Sequence, residues 1–115
     1  MGSVADILLS KSPNDITIPS IVLYELKVGI AKSTKPAKRK KQLELLMSRI
    51  NISFFGSEEA ENAAMIRADL EKKGIPIGPY DTLIAGTALS IHATLVTHNI
   101  KEFKRVNALS IEDWY

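Results

Sequence analysis

The chain has 115 residues, of which 45% are hydrophobic and 24% charged, with no cysteine and a formal net charge of +2. This length suits one domain over residues 1–115, the composition excludes a disordered chain, and the lack of cysteine excludes a disulfide framework or a thiolate zinc site. No apolar run approaches the ~20 residues that span a bilayer and no signal-peptide layout is visible, so the cytoplasm is the expected location and no membrane partner is expected.

In chain order, residues 4–9 read as a short helical segment. "DITIPS", residues 15–20, alternates Ile16 and Ile18 with polar neighbours as a strand does, and Pro19 closes it. Ser20 is placed to cap the helix that follows, "IVLYELKVGIAKS", which carries apolar residues at helical spacing. Residues 32–41 then hold six cations, Lys32, Lys35, Lys38, Arg39, Lys40 and Lys41, and no acid. The cluster either contacts nucleic-acid phosphates or is a solvated face. Pro36 marks the start of a second helix, with Leu43, Leu46 and Ile50 on one side.

"INISFFG" is β-branched and aromatic and predicts a strand over 50–56. "SEEAENAAMIRADLEKKG" carries helix start and stop chemistry, with Ser57 as cap, acids in the first turns, and Lys72, Lys73 and Gly74 at the end. "DTLIAGTALSIHA" predicts an apolar helix, "TLVTHN" a buried strand, "IKEFKRV" a helical turn and "LSIEDWY" a last strand. Strands alternating with helices indicate an α/β domain with a mostly parallel sheet, whose ligands bind beyond the carboxyl ends of the strands.

Several polar residues stand out against this frame. Glu25 lies within an apolar helix, close in angle to Ile21, Val22, Val28 and Gly29, so its carboxylate is expected on the inner face, either ion-paired or in a polar cleft. Asp81 either caps its helix or faces a site. His98 and Asn99 fit a turn as well as a site, and His92 fits packing inside a helix. Glu25, Asp81 and Asn99 can all meet at one sheet edge. Oxygen donors of this kind, completed by water, suit Mg²⁺ or Mn²⁺, which can activate water against a phosphodiester.

"IPSIVLYELKVGI", "IRADLEKKGIPIGPYDTLIAGTAL" and "LVTHNIKEFKRV" resemble successive blocks of the PIN-domain ribonuclease toxins of the VapC type, collinear from about residue 15 onward. The resemblance implies a three-layer α/β fold and a Mg²⁺- or Mn²⁺-dependent endoribonuclease acting on transfer or ribosomal RNA. It also implies a VapB-type antitoxin as inhibitor and a homodimer. Carried over by position, Glu25 and Asp81 are metal ligands, Asn99 stands where many relatives have a further Asp, and Thr97 matches a polar site residue. Lys35, Lys38, Arg39, Lys40, Lys41 and His98 are the candidate RNA contacts. Relatives begin with a central strand resembling "LLDTN", whose Asp is a principal ligand. No such strand precedes residue 15 here, and neither Asp6 nor Asp15 replaces its acid, which leads to the expectation of a sheet with its first central strand missing. A catalytically silent module binding antitoxin or RNA is then the alternative. An unrelated α/β domain, with Glu25 paired and Asp81 only capping, is the third reading.

Overall fold

Residues 16–113 are described by the computed structural model. Their elements are β1 (Thr17–Pro19), α1 (Ser20–Ala31), α2 (Pro36–Met47), β2 (Asn51–Ser53), α3 (Ser57–Lys72), α4 (Pro79–Ser90), β3 (Thr94–Val96), α5 (Ile100–Phe103) and β4 (Ser110–Glu112). The helical segment expected at 4–9, with Asp6 and Asp15, lies outside the described residues.

The helices fall where periodicity places them, but their caps differ from the sequence reading. Ser20 and Ser57 are each the first helical residue, after Pro19 and Gly56, and neither side chain caps. At α3 the Glu59 carboxylate reaches back and accepts from the N–H of the N-cap residue Gly56 at 2.8 Å, the acid's half of a capping box. The α3 stop is as expected. Gly74 adopts a left-handed φ of 73°. The Ile75 N–H then reaches Leu70 O at 2.9 Å and the Gly74 N–H reaches Glu71 O at 3.1 Å, the paired bonds of a Schellman end.

The same pair of bonds closes α4, from Ala93 N–H to Ala88 O at 2.9 Å and from His92 N–H to Leu89 O at 3.2 Å. His92 therefore lies beyond the helix, exposed and with a φ of 52°, and is not a packed helical residue. A side chain in this conformation costs about 1 kcal/mol relative to glycine. His92→Gly is expected to raise unfolding stability by roughly that amount in urea titrations; a lower midpoint would show that the imidazole has a packing role.

The core is built on α4. Its residues Thr82, Ile84, Ala85, Gly86, Thr87 and Ala88 are all buried, against Ala63, Ile66 and Leu70 of α3 and against Phe103 and Val106. The buried hydroxyls are paired inside the helix, Thr82 with Gly78 O at 3.0 Å and Thr87 with Leu83 O at 2.9 Å, so neither is left unsatisfied.

All strand pairing is parallel, as expected, but it is divided. β1 pairs with β2 in the register Ile18 to Ile52, and β3 pairs with β4 in the register Leu95 to Ile111. No pairing joins the two halves among the described residues, so one sheet is replaced by two two-stranded sheets. Both halves lie against α4, through β1 and through β3. The helix that carries Asp81 is thus the shared floor of the two sheets.

Candidate functional site

Asp81 does not cap α4. The helix starts at Pro79 after Gly78, with no side-chain cap bond, and Asp81 sits in its first turn. Two anchors fix this start. Ile77, just upstream, packs on the core cluster, and Arg105 Nη1 donates to Pro76 O at 3.0 Å. The second anchor ties the approach to α4 to the segment just after α5, so the two elements cannot drift apart without losing it.

That tether matters because α5 carries Glu102, within hydrogen-bonding reach of Asp81. Burial pushes the Asp81 carboxyl up, and the Glu102 and Glu25 carboxylates push it in the same direction. Two acids, from α5 and α1, therefore act on the third, on α4. They are not equally close. Among the described residues no three acids or histidines approach tightly enough to form a complete metal cage, so Asp81 and Glu102 are the compact pair and Glu25 acts from further out.

Glu25 is exposed rather than directed inward, because α1 buries none of its residues fully. It has no cation partner among the described ion pairs. Thr97 and Asn99 shape the turn between β3 and α5. The Thr97 N–H donates to Glu112 O at 2.9 Å, extending the β3–β4 ladder, and the Asn99 N–H donates to Thr97 Oγ1 at 3.0 Å. Their visible role is to aim α5, and so Glu102. His98 Nδ1 lies 3.4 Å from Asp113 Oδ2. Lys35, Lys38, Arg39, Lys40 and Lys41 are exposed at the start of α2 and in the residue before it, a helix packed on α1.

Glu102 is the residue that sequence reasoning missed. It belongs to a four-residue helix, too short for periodicity to reveal a face. The usable signal is its neighbour Phe103, an aromatic side chain whose burial anchors this short helix on the core.

An Asp–Glu pair with a third acid nearby, at the ends of parallel strands, suits a small hard cation held by one or two carboxylates and water. The PIN domain profile matches residues 2–109. Ribonuclease VapC2 of Rickettsia felis is 45% identical over 107 residues, covering 93% of this chain and 79% of that protein. The tRNA(fMet)-specific endonuclease VapC of Salmonella typhimurium is 41% identical over 97 residues, covering 84% of this chain and 74% of that one. Among solved structures, DNA-bound VapBC from Salmonella typhimurium superposes with a TM-score of 0.90 at 35% identity, covering 100% of this chain and 86% of that one. VapBC2 from Rickettsia felis, bound to a promoter DNA fragment, gives 0.85 at 39% identity, covering 99% and 84%. The chain belongs to the PIN-domain family, among the VapC ribonucleases of toxin–antitoxin systems.

Proposed function

We propose that this chain is the toxin of a toxin–antitoxin pair and a divalent-metal-dependent endoribonuclease. The observation that carries this reading is the juxtaposition of Asp81, Glu102 and Glu25, in which burial and like charge act together on Asp81. Concentrated carboxylates with no cation partner among the described residues are a poor structural device and a good cation site. Asp81 and Glu102 would hold Mg²⁺ or Mn²⁺, and Glu25 would accept a hydrogen bond from a water beside it. The bound ion would supply an activated water and neutralise charge on the cleaved phosphate. Thr97 and Asn99 hold α5 in place, and Lys35, Lys38, Arg39, Lys40 and Lys41 would contact phosphates flanking the cut, with His98 a further contact.

Because a 41% identical relative is a tRNA(fMet)-specific endonuclease, initiator transfer RNA is the first substrate to try. The likeness to VapBC complexes supports a VapB-type antitoxin as inhibitor, and a homodimer completes the proposal. Cleavage should require Mg²⁺ or Mn²⁺ and stop with EDTA, and Glu102→Gln or Glu25→Gln should reduce it about 10- to 100-fold. Calorimetric titration of Mg²⁺ gives an independent readout, weakened in Glu102→Gln. Undiminished cleavage in both variants would remove the acids from the mechanism.

A second reading has its own support. No three acids or histidines among the described residues form a complete cage, which favours a silent module that binds antitoxin or RNA. Antitoxin binding by a chain that cleaves no RNA with either metal would decide for it.

A further inference from the structure

Two exposed aromatic rings flank the acids. Tyr24 of α1 and Tyr80 of α4 are 52% and 48% exposed, their ring centroids are 6.0 Å apart and their planes are tilted by 51°. Each is the immediate chain neighbour of a site acid, Glu25 or Asp81. Two elements distant in sequence thus bring together two phenol rings that the core does not need, at the place where the carboxylates converge. We infer that Tyr24 and Tyr80 form a stacking platform for an unpaired RNA base next to the cleaved phosphodiester, an assignment that rests on the ribonuclease reading above.

The physical case starts from repulsion. Three carboxylates repel the phosphates of the substrate they must approach, so affinity beside them has to come from uncharged contacts. Base-on-ring stacking is such a contact, and it tolerates any base because every base has a π-face. An aromatic ring offers that face and brings no further carboxylate to the site. Packing alone accounts poorly for the pair, because half of each residue remains open to solvent where a buried partner would close it.

The test is fluorescence anisotropy of a labelled single-stranded oligoribonucleotide binding to the full chain in Ca²⁺. A matched oligonucleotide with one abasic position is run beside it, and Mg²⁺-dependent cleavage of the first is followed in parallel. Tyr24→Ala and Tyr80→Ala should each weaken binding roughly tenfold. Tyr→Phe variants, which keep the π-face, should stay close to wild type. Tyr24→Leu, which keeps apolar volume without that face, should behave like Ala and guards against a folding artefact. At the abasic oligonucleotide the Ala variants and wild type should converge. Unchanged affinity in the Ala variants, an equal loss in the Phe variants, or no RNA binding by wild type overturns the platform. A loss seen only against an antitoxin, and not against RNA, reassigns the rings to a protein interface and also overturns it. Wild-type binding with the expected variant pattern but no cleavage refutes the nuclease reading while leaving the platform standing.

Discussion

Replacing Asp81 with asparagine is expected to lower RNA cleavage by about 100-fold or more, and at the same time to raise the melting temperature of the metal-free protein. The loss follows from the proposed ligand role, since even groups one shell away from a metal typically cost 10- to 100-fold. The gain follows from charge. Burial, Glu102 and Glu25 hold the Asp81 carboxyl above the ordinary 3.8 of an aspartate, so between that value and the raised one the folded chain binds more protons than the unfolded chain. Stability contributed by Asp81 is therefore complete below about 3.8 and is lost as pH rises through the raised value. Above that window the ionised group opposes folding. Asparagine keeps the shape and removes the opposition, and the gain is kept small by the solvent that screens a partly exposed carboxyl.

Thermal melts in EDTA read the sign directly. At about pH 8 Asp81→Asn should melt above wild type, and near pH 4 the two should converge. Adding Mg²⁺ should reverse the order at pH 8, because ligand binding stabilises only the chain that holds the ion. An asparagine variant that melts below wild type in EDTA at pH 8 would mean that the carboxylate is structural, stabilised by the helix start rather than strained by its neighbours.

The helices were legible in the sequence because they depend on a regular feature, the apolar spacing of α1 and α4. The failures share a different cause. Residue type predicts Ser20 and Ser57 as caps and Asp81 as a cap or a site residue, yet α1 and α3 are capped one residue earlier and α4 three residues earlier, at Gly78. Capping depends on which donor a side chain can reach, and at α3 the longer Glu59 reaches it from within the helix. The sequence places His92 in a helix because a left-handed φ is usually signalled by glycine, which is absent at this position.

The sheet was legible in direction and incompletely in extent. Ile18 and Leu95 identify strands, but a three-residue strand carries too little pattern to fix its neighbours. Among the described residues the strands form two separate parallel pairs that share α4 as a floor. Helix packing joins the two pairs: Ile21, Val22, Leu95 and Ile111 press on the core from both halves. The relative position of the two halves, and with it that of Glu25 and Glu102, is therefore carried by α4 and its contact with α3.

Gly86 is where that contact is tightest, and Gly86→Ala is expected to destabilise the fold by about 2 kcal/mol and to impair the site from a distance. A Cβ at position 86 would stand 2.8 Å from Ala63 Cβ, 2.8 Å from Ala63 N and 2.9 Å from Ala63 Cα, well inside the ~3.5–4 Å of comfortable carbon contact. Alanine gains up to about 1 kcal/mol of helix propensity over glycine, but an added methyl in a closed core costs about 1–3 kcal/mol, more where backbone has to move. Here two of the three obstructing atoms are backbone, so α3 and α4 must separate. Adding Ala63→Gly removes only the Cβ obstruction, so the double variant should recover part of the loss and not all of it; full recovery would show that the clash is between methyl groups alone. In a domain of this size 2 kcal/mol corresponds to a melting temperature lower by about 10 °C. Because α4 also holds Asp81, an ångström of separation shifts that carboxylate relative to Glu102, and misplacement on this scale can cost about 100-fold in rate. Cleavage by Gly86→Ala, measured well below its melting temperature, should therefore fall further than the folded fraction does. A rate that simply tracks the folded fraction would instead place the strain entirely on the α3 side of the contact.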